Sequence, residues 1–222
     1  MRNGLAGFNL NEAALYAPRK YCVRNEMTEQ ANSIEFAGDN PCVVLYDCDR
    51  TIVSAISYWR SSASLSGIGE VLFLLRRSPG RPLEAIVFGD NTELAAFLCT
   101  FNQHFEGFQT IGLDGAMQPA KFHTRRASGS AQLECVAPMT TIRVEWSELG
   151  TPRMNRSDIL DFGRQVGRSY EVSSVIVPAN SGSIVIDDER QPGRVIDGYG
   201  ALPKSAFLAF CETWTRLGSD TP

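Results

Sequence analysis

Among the side chains between Lys121 and Ser147, His123, Arg125, Glu134, Arg143 and Glu145 are of the kinds that move protons and grip anions. A histidine beside a carboxylate can transfer a proton near neutral pH, and an arginine can hold an anionic group through a fixed fork of N–H donors. Whether the five meet depends on the strands that carry them. Take Ala127-Ser-Gly-Ser130 and Ala137-Pro-Met-Thr140 as turns. Antiparallel pairing then sets Phe122 beside Cys135 and Ile142, and Thr124 beside Leu133 and Val144, all on one face. The other face collects His123, Glu134 and Arg143 in one row and Arg125, Gln132 and Glu145 in the next. A slip of one residue would turn each strand's apolar set toward the polar side, so the agreement of both faces specifies the register.

Two readings of that polar face stand. Closed inward within a barrel, it would supply His123, Glu134, Arg143 and Glu145 as a catalytic set, with Arg125 holding the ligand. Turned outward, it is the solvated side of an antiparallel sheet, its charges kept for solubility. A second group is aromatic. Trp59 and Trp146, with Trp214, Tyr46, Tyr58 and Phe88, are the residues that would line a pocket for a small apolar molecule, or else fill a core.

A third group is acidic. Val43-Val-Leu-Tyr-Asp47-Cys-Asp49-Arg-Thr51 places Asp-x-Asp-x-Thr at the end of an apolar run. This resembles the first motif of the haloacid dehalogenase superfamily. The resemblance implies that Asp47 attacks phosphorus, that Asp49 is the general acid/base, and that magnesium offsets the phosphate charge. It implies a parallel sheet with helical crossovers. It also aligns Lys121 with a phosphate-binding lysine, and Asp187-Asp188 with an acidic pair that helps hold the metal. Read without the resemblance, Asp47-Cys-Asp-Arg50 is a hairpin turn, where aspartate side chains bond nearby backbone N–H groups.

These groups must be positioned by a chain of 222 residues, 43% hydrophobic and 21% charged, which is ample for a core. A net charge of −4, without a dense basic cluster, argues against nucleic-acid partners. No apolar run reaches membrane-spanning length, and the first residues lack the pattern of a secretory signal. The six cysteines are scattered and the histidines number two, so neither a zinc site nor any other metal site is expected. Reduced thiols and a cytoplasmic protein are the better expectation. No cofactor is expected.

Residues 1–40 read as an irregular segment, with a short helix over Glu12–Tyr16, and 41–222 as one β-rich domain. Strands are expected at 42–46, 51–59, 70–75 and 83–88, then a helix carrying Leu94, Phe97, Leu98, Phe101 and Phe105 on one face, capped by Asp90, Asn91 or Thr92. After the three-strand meander come a weak helix from Asn155 or Ser157 to Val166 and strands at 175–177 and 183–186, with Pro178–Gly182 as a turn between them. The end of the chain reads as a helix, because Pro203 suits a first helical position and Phe207, Phe210, Trp214 and Leu217 share helical spacing. The expected fold is β-rich α+β: an antiparallel sandwich or barrel-like sheet with two or three peripheral helices. The expected function is binding, with or without transformation, of a small apolar molecule. Magnesium-dependent phosphoryl hydrolysis through Asp47 and Asp49 is the alternative, and an interaction module using exposed strand edges is a third.

Overall fold

Short apolar segments joined by tight turns have no route but back along themselves, and the computed structural model shows that pattern over most of the chain. It describes residues 33–77, 82–103, 107–109, 117–159 and 170–216. The expected helix over Glu12–Tyr16 lies outside them. Strand β1 (Ser33–Asp39) does not: it is sheet structure within a segment that reads as irregular, and it continues past Asn40-Pro41 into β2 (Cys42–Tyr46). Both lie between β3 (Ile52–Ser64) and the final strand β15 (Ala206–Arg216). β3 is followed by β4 (Gly69–Arg77) and β5 (Leu83–Gly89), each antiparallel to the last. The helix α1 (Thr92–Asn102) starts where expected: Asn91 Oδ1 accepts the backbone N–H of Leu94 at 3.0 Å. Two-residue β6 (Gln118–Pro119) pairs parallel with β5, and the chain then leaves for a second sheet.

That sheet is the meander β7 (Lys121–Ala127), β8 (Ser130–Ala137) and β9 (Thr140–Leu149), in the register read from the sequence. Phe122, Cys135 and Ile142 stand opposite one another, as do His123, Glu134 and Arg143. β10 (Arg153–Ile159) and β11 (Tyr170–Ile186) pair with each other, so the helix expected from Asn155 or Ser157 is a strand to Ile159. β11 also corrects the expected turn at Pro178–Gly182. It runs unbroken for 17 residues, pairing through Pro178 with β15 and from Ala179 with β9. A proline is tolerated at this changeover because its missing N–H falls where the strand exchanges one neighbour for another. Asp187 and Asp188, with φ of 50° and 67°, form the two-residue turn into β12 (Glu189–Arg190). β13 (Asp197–Tyr199) and β14 (Leu202–Lys204) make a separate hairpin.

The helix expected at the C-terminal end is also a strand. β15 contains a bulge: Cys211 has φ 51°, and between the Ser173–Thr213 and Val175–Phe210 pairs Cys211 and Glu212 of β15 oppose the single residue Ser174 of β11. Before the bulge, Phe207 and Ala209 face one core; after it, Trp214 faces that same core. The extra residue therefore puts positions seven apart on one side, which imitates helical spacing. Among the described residues α1 is the one helix, against the two or three expected.

Packing follows from this layering. Val71 to Leu75 of β4 are all fully buried, which requires cover on both faces. Val71, Phe73 and Leu75 meet Leu94, Leu98 and Phe101 of α1 in one core. Leu72 and Leu74 meet Leu133, Ile142, Val144 and Trp146 of the meander in the other. Trp146 Nε1 donates to the Cys42 carbonyl at 2.9 Å, a buried bond that ties the two sheets together. The arrangement is helix, sheet and second sheet, with β11 contributing to both sheets.

Candidate functional site

The meander's apolar face is sealed against the second core, so its polar face points to solvent. His123, Arg125, Gln132 and Arg143 are exposed, and Glu134 and Glu145 half-buried. The inward-facing barrel arrangement is thus not the one adopted. Twist and curl instead shape the outer face into a groove of about 460 Å³, lined by both predicted rows. Two residues outside the sequence reading extend it. Ser183 and Val185 of β11 stand opposite Glu145 and Arg143, lengthening each row by one position. Alternation in Ser183-Ile-Val-Ile186 was the available signal, but a chain cut at Pro178 gave no partner for it.

Within the groove the charges are not all matched. Arg143 has Glu134 opposite it on β8, yet its guanidinium pairs with Asp188 of the β11–β12 turn. The side chains of His123, Arg125, Glu134 and Glu145 make no hydrogen bond or ion pair with the described residues. One cation and two carboxylates thus remain available, with a histidine alongside.

The aromatic residues behave differently. Trp59 and Trp146 are 0% and 1% exposed and belong to separate cores. Trp59 packs edge-on to Phe36 and Trp214, with centroids at 5.6 and 5.5 Å. The cavity that reaches Trp146 holds about 30 Å³, room for roughly two waters and no organic ligand. Its rim carries a clasp between the sheets. Asp39 of β1 accepts from Arg60 of β3 and lies 3.8 Å from Arg126 of β7, whose guanidinium sits 4.1 Å over the Phe210 ring.

Asp47 and Asp49 occupy a hairpin turn. Asp47 Oδ1 accepts the N–H groups of Asp49 and Thr51, both at 2.9 Å, and β2 runs antiparallel to β3 and β15. The strand that leads into Asp47 therefore has antiparallel neighbours on both sides, not the parallel ones that the dehalogenase resemblance implies. Asp187 and Asp188 are engaged by the neighbouring strand β9, Asp187 Oδ1 accepting the Thr141 N–H at 2.8 Å and Asp188 pairing with Arg143. Among the described residues no group of three or more His, Cys, Asp or Glu is placed to hold a metal ion. Asp47→Ala is expected to cost about 1 kcal/mol in urea denaturation through two lost turn bonds. Hydrolysis of p-nitrophenyl phosphate with magnesium is expected to be the same before and after the change. A selective loss of such turnover would restore the acidic-nucleophile chemistry.

Burial governs the titration of the inner groups. It pushes the Cys42 thiol far above its ordinary range and Cys135 up to about 12, so both stay protonated. Burial likewise raises the Glu212 carboxyl to about 7, partly opposed by the Trp214 indole N–H that it accepts at 2.7 Å. Cys42, Cys48, Cys135 and Cys211 are free thiols. No helix among the described residues is long and apolar enough to cross a membrane. Comparison with known protein families, curated proteins and solved structures finds no match for this chain.

Proposed function

We propose that the protein binds a small polar molecule, not an apolar one, in the outer groove of the β7–β9 meander. The observation that carries this is the set of unmatched side chains converging there: Arg125 at one side, Glu134 and Glu145 at the other. Neighbouring strands lie about 4.8 Å apart, so Arg125 on β7 stands roughly 7 Å from the midline between β8 and β9. Two extended residues span about 7 Å. The pattern suits a short zwitterion such as a dipeptide, its carboxylate toward Arg125 and its ammonium between the glutamates. His123, opposite Glu134, is the group that would exchange a proton with a bound ligand. The free thiols favour a cytoplasmic setting.

Exposed ion pairs each contribute under about 1 kcal/mol, so two or three of them put the dissociation constant for glycylglycine on the order of 10 mM, and binding should weaken with salt. Amide chemical-shift changes on titration should cluster on β7, β8, β9 and the end of β11. Arg125→Ala and Glu145→Gln should each remove them, and N-acetylglycinamide, which lacks both charges, should produce none. Shifts scattered over the surface, or none at all, would dismiss this reading.

A further inference from the structure

We propose that the protein holds a single internal water molecule where the end of α1 meets β3 and the β1–β2 junction. Asn102, the last residue of α1, is fully buried, and its Nδ2 has no hydrogen-bond partner in the protein. Its Oδ1 accepts the Ser57 hydroxyl at 3.0 Å, and the same hydroxyl lies 3.4 Å from Asn40 Oδ1. Turning the Asn102 amide over does not cure the deficit. Ser57 reaches one of the two amide atoms, so reversal would pair Nδ2 and leave Oδ1 alone. The unmet hydrogen bond is a property of the packing rather than of the amide's orientation.

Beside that amide lies a cavity of about 10 Å³, bounded by Asn40, Cys42, Ser57, Asn102 and Phe207 among others. The volume is about that of one water-sized sphere. A water there would accept from Asn102 Nδ2 and donate toward Asn40 Oδ1, with Ser57 Oγ close by, meeting the two to four polar contacts an internal water needs. No charged side chain lines the cavity, which selects a neutral guest over an ammonium or a halide. Phe108 and Phe207, 1% and 4% exposed, close its apolar side and leave no room for a second molecule. The other buried unpaired donor, Trp59 Nε1, makes the contrast. Its ring is packed by Phe36, Phe101 and Trp214, with centroids 5.5 to 6.2 Å away, and it does not line the cavity beside Asn102. Buried polar groups normally find a partner, and here the partner is solvent carried inside.

The water would join three segments far apart in sequence: Asn40 before β2, Ser57 within β3 and Asn102 closing α1. The test uses the intact protein. A crystal structure near 1.5 Å should show one full-occupancy density peak within hydrogen-bond distance of Asn102 Nδ2. In solution the Asn102 side-chain amide protons should give cross-peaks to water of the sign expected for a long-lived bound molecule. Ser57→Ala, which removes a hydroxyl bordering the cavity, should keep the site wet and make room for further solvent. Asn102→Leu should abolish the cross-peaks and the density, and the wild-type measurements decide the matter if that variant does not fold. An empty cavity, or an Asn102 amide paired on both atoms by protein groups, would overturn the proposal.

Discussion

Glu212→Gln is expected to raise the unfolding free energy by about 3 kcal/mol at about pH 8 and to leave it unchanged near pH 4. Glu212 lies on β15 and is 6% exposed, and burial lifts its carboxyl from the ordinary 4.5 to about 7, with Asp39 nearby adding to the rise. Between those values the folded chain keeps a proton that the unfolded chain has released. Stability therefore falls as pH rises through that window, and above about 7 the full cost of the buried charge is present. A separation of about 2.5 pH units at about 1.4 kcal/mol each gives the stated magnitude. Glutamine can still accept the Trp214 N–H, so the variant removes the charge and keeps the bond. Urea denaturation of both proteins across about pH 4 to 8 measures the effect. Curves that remain parallel across that range would show that Glu212 does not titrate in the window.

Trp214→Ala should be the most damaging single change, costing about 3–5 kcal/mol. Its ring is fully buried and stacks on Phe101 at 3.7 Å and 16°, with Phe36 at 4.7 Å and Phe97 at 5.6 Å. The substitution leaves a void between β15 and α1 and strips Glu212 of its N–H donor. Trp214→Phe separates the two effects: it keeps most of the packing and loses the donor, so its cost should be smaller and should grow with pH as Glu212 ionises. A loss below about 1 kcal/mol for Trp214→Ala would mean that the cluster collapses around the gap.

The parts of this architecture that a reader of the sequence could recover are those fixed by neighbours. Strands β7 to β9 are joined by two-residue loops, so alternation alone set their register, and the capping candidates Asp90, Asn91 and Thr92 announced α1, with Asn91 the one that caps it. The parts that were hidden depend on distant partners. Cys211 bulges where β15 carries one residue more than β11 between the Ser173–Thr213 and Val175–Phe210 pairs, and without that bulge in view Phe207 and Trp214 look helical. Pro178 reads as a turn until its strand is seen to pass from one sheet to the other. The rows of the candidate site were legible for the same local reason as the meander. Their outward direction was not, because it follows from Trp146 and Leu133 packing on β2 and β4, and the pairing of Arg143 with Asp188 required the course of β11.

The placement of β1 and β2 between β3 and β15 bears on how the protein is made. The Ser205 hydroxyl bonds the Val44 carbonyl across 161 residues, so the early strands gain their second neighbour only when nearly all of this chain has been synthesised. Until then a nascent chain carries a bare, strongly apolar ribbon edge, Cys42-Val-Val-Leu-Tyr46, of the type that recruits foreign strands. Such late closure predicts slow refolding and a need for chaperone cover during translation, set by strand order rather than by the strength of the finished core.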